Sequence, residues 1–192
     1  MTGTAANAQV GKTIRAWWNP TKGATLPATY DAAPAGGFLD LGYLTLDDGF
    51  VLHTRGAAQT SSLMAFEDNG KKIVTVRTPD DTLPSITLTA QESSKVVREL
   101  AWNVSYDASG KAVFDGTLPS NGSFVFDMID NNDLIDRYCS DNAFPDLTSD
   151  QQSSGTDASG RALKYQLQFT FDFSDVLGGH FVNLSELIDS NT

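Results

Sequence analysis

The sequence is poor in the residues that build metal centres, disulfide frameworks and catalytic triads. Its 192 residues include one cysteine, Cys139, and two histidines, His53 and His180. One cysteine excludes an intramolecular disulfide and any zinc site made of several cysteines. Neither histidine stands in a recognisable motif, and no G-x-S-x-G segment is present. The sequence therefore favours a protein that is not an enzyme and has no catalytic residue, metal or cofactor. Cys139 is predicted to be a buried structural thiol.

Long apolar runs and an excess of basic charge are also missing. No stretch approaches the roughly 20 uninterrupted apolar residues of a membrane-spanning helix. The N-terminus lacks the basic-then-apolar order of a secretory signal, so we expect neither membrane insertion nor export by that route. The net charge is −11: residues 1–100 carry nine Lys or Arg against ten Asp or Glu, and residues 101–192 carry four against fourteen. Such an acidic second half is unsuited to holding nucleic acid through its phosphates.

The segment from Asp127 to Asp136 is rich in carboxylate and amide oxygens. It lacks the Asp-x-Asp-x-Asp-Gly order and the closing glutamate of a calcium-binding EF-hand loop. Two strands joined by a polar turn at Asp130 to Asp133 explain this segment more simply than a calcium site does.

Alternation of apolar and polar residues predicts that the chain is mainly strand. From Leu163 to Phe173 every odd position is apolar and every even position is polar, which places one face of a strand in a core. Shorter candidate strands are Leu39–Leu46, Ser62–Glu67, Lys72–Thr78, Ile86–Thr89, Val113–Phe114 and Phe124–Ile129. The candidates at Ser62 and Lys72 flank Asp68-Asn69-Gly70, which indicates a hairpin. Several short strands with closely spaced turns are typical of a sandwich or barrel.

One helix interrupts this pattern, near residues 92–102. Serine and acidic residues stand at its start, and Thr89 and Glu92 have the spacing of a capping box. The fold class is therefore mainly β, or α+β, with one flanking helix. We expect a β-sandwich or barrel domain over residues 36–177.

Both ends of the chain are predicted to be arms. Residues 1–35 contain Pro20, Pro27 and Pro34 and are interpreted as an N-terminal arm or long loop. Because adjacent tryptophans seldom lie in free solvent, Trp17 and Trp18 indicate an arm that docks on something. Residues 178–192 form an apolar C-terminal tail, which either packs on its own domain or reaches a neighbour.

The segment from Asp40 to Phe50 (DLGYLTLDDGF) resembles the "LGYVTEDG" region of the major tail tube proteins of long-tailed (siphovirus-type) bacteriophages, particularly those of actinobacteria. The resemblance continues in order through Ser61–Phe66, the "VRT" strand within Val74–Thr78, and Ile86–Ser93, which matches the family's "TLxE" strand. It covers about residues 36–102, a third of the chain.

This resemblance implies a structural virion protein with a tail-tube-type β-sandwich and a flanking helix. Its subunits would form hexameric rings that stack into a hollow tail tube, through which DNA is ejected into the host. Implied partners are other copies of the chain, tail tip and tail terminator proteins at the tube ends, and the tape measure protein and DNA in the lumen, without specific binding. The protein would be assembled in the host cytoplasm and reside in the virion.

Under the same hypothesis, the arms and the loop from Asp47 to Thr60 would join subunits or rings. The candidate interface residues are Trp17, Trp18, Asp47, Asp48, Phe50, Phe181, Leu184 and Leu187. A negative lumen would repel phosphate over a Debye length of roughly 8 Å; which residues face the lumen is not assigned. The alternative hypothesis is a soluble monomeric β-sandwich binding module, of the carbohydrate-binding or adhesin type, with an exposed aromatic platform.

Overall fold

The computed structural model of the chain describes residues 11–44, 51–53, 59–64, 72–78, 83–91, 94–114, 119–146 and 164–185. These residues form ten β-strands and one α-helix. In chain order the elements are β1 (Gly11–Asn19), β2 (Leu39–Asp40), β3 (Val51–His53), β4 (Gln59–Met64), β5 (Lys72–Thr78), β6 (Ser85–Ala90), α1 (Lys95–Trp102), β7 (Gly122–Asp130), β8 (Ile135–Asp146), β9 (Tyr165–Phe171) and β10 (Val182–Ser185).

Eight strands form one curled antiparallel sheet, a half-barrel, in the order β2-β1-β7-β8-β9-β6-β3, with β10 also paired to β8. The long strand β8 holds β10 along its first half and β9 along its last four residues. Strands β4 and β5 form a separate two-stranded sheet. The prediction of a mainly β chain with one helix is confirmed.

The core lies on the face of the sheet that α1 covers. In β6 and β9 every second residue is buried, which confirms the predicted alternation over Tyr165–Phe171. Leu163 lies outside the described residues, and Phe173 lies beyond the strand and is exposed. The rings of Phe124 and Phe169 stack with their centroids 4.4 Å apart. The larger buried side chains of this core are Ile14, Trp18, Leu41, Ile86, Leu88, Val97, Phe124, Phe126, Tyr165, Leu167, Phe169 and Phe171.

The helix prediction is also confirmed, although its cap differs from the predicted one. Ser94 is the N-cap and its side chain accepts a hydrogen bond from the Val97 amide. Thr89 belongs to β6, and Glu92 lies outside the described residues. Val97 and Ala101 are the buried residues of α1, because they are one turn apart and face the sheet.

At both ends, residues predicted to lie in arms contribute strands to the sheet. Residues 11–19, assigned to an N-terminal arm, form β1 in the interior of the sheet, between β2 and β7. Residues 182–185, assigned to a C-terminal tail, form β10. The alternation in β1 was hidden because the outward-facing Trp17 is as apolar as its buried neighbours. Residues 20–38 do form a long loop.

Two shorter predictions have opposite outcomes. Val113 and Phe114 are not in a strand and are exposed. By contrast, β7 and β8 are joined by the polar turn predicted at Asp130–Asp133, where the Asp130 carboxylate accepts hydrogen bonds from the amides of Asn132 and Leu134. The predicted hairpin of β4 and β5 is confirmed, with its turn outside the described residues.

Candidate assembly surfaces

The two adjacent tryptophans lie on opposite faces of β1. Trp18 is 5% exposed and belongs to the core, with its ring 5.3 Å from that of Phe169. Trp17 is half-buried on the other face, where the Arg137 guanidinium lies 6.0 Å from its ring centroid. Trp18 is therefore a core residue of its own chain, which corrects its assignment to an interface. Trp17 stays a candidate.

A buried ion pair lies beside Trp17 on this second face. Asp127 and Arg137 face each other across β7 and β8, and both side chains are 3% exposed. The guanidinium donates two hydrogen bonds to the carboxylate, of 2.6 and 2.7 Å, and further ones to the carbonyls of Thr29 and Ala32. Burial alone lowers the pKa of Arg137, but the hydrogen bond to Asp127 and the negative charge of that carboxylate together raise it, and the net pKa is raised. The pair thus fastens the 20–38 loop to the sheet.

This pair is the main feature that sequence reasoning missed, although a signal for it existed. Asp127 and Arg137 are each five residues from Asn132, which lies within the predicted turn at Asp130–Asp133. A hairpin centred on Asn132 places them directly opposite each other, where opposite charges stabilise a sheet.

Two of the C-terminal candidates, Phe181 and Leu184, pack on their own domain. The Phe181 ring lies 6.0 Å from Tyr138 and 5.6 Å from Phe171, and Leu184 is half-buried on β10. The Asp136 carboxylate holds this segment in place: it accepts hydrogen bonds from Tyr138 and from two β10 side chains, Asn183 and Ser185. Of the two outcomes predicted for the tail, packing on its own domain applies as far as Ser185.

Tyr138 is expected to ionise later than an ordinary tyrosine. Burial, and then its hydrogen bond to Asp136, raise the pKa of Tyr138 from 10.0 to about 12. Because the folded-state pKa is the higher one, this contribution to stability is complete below about pH 10 and is lost as the pH rises through about 12. A near-ultraviolet titration of tyrosinate should therefore lose its late-ionising component in Tyr138→Phe. If the variant instead loses a component near pH 10, the contact with Asp136 is absent in solution.

Four further candidates, Asp47, Asp48, Phe50 and Leu187, lie outside the described residues. Apart from Trp18, the interface candidates among the described residues are therefore Trp17, Phe181 and Leu184.

An open sheet edge runs along the first half of β1. On one side, β1 pairs with β7 over its full length. On the other side it pairs with the two-residue strand β2 only at Trp17 and Trp18. Within the described part of the chain, no strand pairs with the outer side of residues 11–15. Exposed Lys12 and Arg15 flank this edge, as charges often do on edge strands.

A groove of about 600 Å³, lined by both apolar and polar residues, opens between α1 and the end of β1. Trp18, Leu39, Leu100 and Val113 contribute to its lining, together with the acidic and basic residues Glu99, Asp107 and Lys111. Leu39 is 45% exposed and Val113 is 63% exposed. Isolated exposed apolar side chains are ordinary, but a contiguous group of them marks a contact surface.

The face of β6 and β9 that points away from the core is polar and uncharged. It carries only hydroxyl and amide side chains, in directly opposed pairs: Ser85 with Thr170, Thr87 with Gln168, and Thr89 with Gln166. Several acids lie elsewhere and are buried, among them Asp127, Asp130 and Asp141.

Within the described residues, no group of three His, Cys, Asp or Glu side chains is placed to hold a metal ion. No helix of the described chain is both long and apolar enough to cross a lipid bilayer.

No model of a protein family matches this chain, and a search of curated proteins finds no match either.

Proposed function

We propose that this protein is the structural subunit of a phage tail tube, a hollow polymer of stacked hexameric rings through which DNA is ejected. The observation that carries the proposal is the curled antiparallel half-barrel whose edge along residues 11–15 has no partner strand among the described residues. An unpaired edge exposes backbone donors and acceptors that a strand of another chain satisfies.

The two ends of the sheet are different strands, β1 with β2 at one end and β3 at the other. Contact between unlike edges is head-to-tail, and such a contact either closes into a ring or continues as a filament. The curvature of the sheet favours a closed ring, because each added copy turns the sheet further in the same direction.

The separate hairpin of β4 and β5 supports contacts beyond one subunit. None of the other described strands pairs with this hairpin. An isolated two-stranded hairpin is marginally stable in water, and packing against another surface stabilises it. In a tube, the neighbouring ring supplies such a surface.

Charge also supports a conduit for DNA. With a net charge of −11, the chain repels phosphate and favours passage of DNA over adhesion. The uncharged hydroxyl and amide face of β6 and β9 is equally unsuited to holding a polyanion, because it supplies no cation to replace released counterions.

The first test is electron microscopy and size-exclusion chromatography of the purified protein across a concentration series. Hollow tubes or stacked rings of uniform width are expected at high concentration. A strict monomer that presents an exposed aromatic surface to glycans would instead favour the binding-module hypothesis.

Arg15→Glu is expected to weaken assembly at least tenfold in critical concentration. The exposed Arg15 lies on the open edge, and a second acidic chain approaching that edge meets its positive charge. Lys22→Glu is the matched control, because it makes the same charge change at an exposed position in the 20–38 loop. Light-scattering assays should show Lys22→Glu assembling like the wild type. Equal losses in both variants would mean that net charge, and not the β1 edge, controls assembly.

A further inference from the structure

The loop of residues 20–38, here called the strap, covers the second face of the sheet without fully burying any of its own side chains. Every strap residue is exposed or only half-buried, and the half-buried ones are all apolar or aromatic: Ala24, Leu26, Pro27, Tyr30, Ala32, Pro34 and Phe38. The sheet residues on that face are nonetheless closed off from solvent: Ser123, Val125, Asp127, Arg137, Cys139 and Asp141 are between 0% and 6% exposed. Val125 and Cys139 also lie outside the main core. The strap is therefore a cover whose apolar side chains are only partly buried.

Polar contacts fasten the strap to the sheet. Arg137 donates to the carbonyls of Thr29 and Ala32. The Ser123 hydroxyl accepts from the Ala24 amide and donates to a strap carbonyl, that of Thr21. At the near end of the strap, a hydrogen bond between backbone groups joins the Gly23 amide to the Asp141 carbonyl over 2.8 Å.

One side chain closes the base of the strap, where its two ends meet. The Asn19 amide group donates to the Gly36 carbonyl over 3.0 Å, and the Asn19 amide oxygen accepts from the Thr21 backbone. Gly36 and Gly37 have φ values of +71° and +96°, which other residues seldom adopt. The base is thus a hinge built from one asparagine and two glycines.

We propose that the strap is a lid that opens about this hinge as a unit while the sheet stays folded, uncovering the β7–β8 face around Cys139. A loop segment in which no side chain is fully buried opens locally at a lower free energy than the whole domain. One oxygen of the Asp141 carboxylate is buried with no hydrogen-bond partner in the described chain, and opening hydrates it. This inference does not depend on the proposed assembly.

Cys139 reports this opening, because it is the sole cysteine of the chain. It is 1% exposed, and burial raises the pKa of its thiol to about 12. In the closed form the thiol is therefore neither accessible nor ionised near neutral pH. In the open form it regains ordinary thiol reactivity.

The experiment measures the rate at which a small thiol reagent modifies Cys139 in the native full chain, by mass spectrometry, at increasing urea below the unfolding transition. The wild type should be labelled through an opening with a much weaker urea dependence than global unfolding. Gly36→Ala should raise the native labelling rate about fivefold, because a Cβ at φ +71° strains only the closed hinge.

Gly110→Ala is the matched control. Gly110 has φ +80° and, like Gly36, has open space around the position of an added Cβ, but it lies in a turn outside the strap. It should leave Cys139 labelling unchanged. Ser123→Ala, which removes two strap contacts from within the sheet, should accelerate labelling about tenfold. Equal labelling in the two glycine variants, or a wild-type urea dependence equal to that of global unfolding, would overturn the proposal.

Discussion

Asp127→Ala is expected to lower the free energy of unfolding by about 3–5 kcal/mol, which is the range for breaking a buried ion pair by removing one partner. The substitution leaves the Arg137 guanidinium buried without its carboxylate, since both side chains are 3% exposed in the folded chain. It also loosens the anchor that holds the carbonyls of Thr29 and Ala32. Urea unfolding followed by circular dichroism measures the loss.

Two comparisons separate the burial of this pair from charge in general. Lys12→Ala removes the exposed pair of Lys12 with Asp133 and should cost at most about 1 kcal/mol. The double variant Asp127→Leu with Arg137→Met should recover most of the stability in the sheet, because no unpaired charge remains buried. A loss below about 1 kcal/mol for Asp127→Ala would show that Arg137 reaches water in the folded state.

The second large effect is expected for Trp18→Ala, at about 3–5 kcal/mol of lost stability. The Trp18 ring packs against Phe169 and fills the space over Gly122, where an added Cβ would come within 2.5 Å of the ring. Removing the ring leaves a cavity that the surrounding strands fill only in part.

Trp17→Ala is the control for that substitution, since it removes the same ring from the adjacent residue. Trp17 is half-buried and contacts Arg137 from the other face, so a loss of about 1–2 kcal/mol is expected. Equal, small losses in both variants, measured by urea unfolding, would mean that residues 11–19 behave as an arm in solution. A much larger loss for Trp18 places β1 in the folded core.

The parts of the fold that could be predicted were those with a local signal. Strand β9 has an unbroken alternation, α1 has an apolar stripe after Ser94, and the β4–β5 and β7–β8 hairpins have polar turns between apolar runs. Each of these patterns reflects one element and one buried face. The open edge of β1 and the strap have no comparable pattern, because an edge is defined by which strand is absent beside it.

By itself, the sequence determined that this protein is a mainly β chain with one helix, a net negative charge and a single cysteine with no catalytic motif around it. Alternation, turn residues and composition act over a few neighbouring residues, so the chain carries them without any tertiary contact. Only the tertiary structure decided which faces are covered. From the sequence alone, Trp17 cannot be told from Trp18, and Asp127 cannot be told from any other acid. Strand pairing distinguishes them, because it brings Trp18 against Phe169 and Asp127 against Arg137. Trp18 and Phe169 are far apart in the chain, and the burial that sets the energies of both contacts exists only once the sheet has formed.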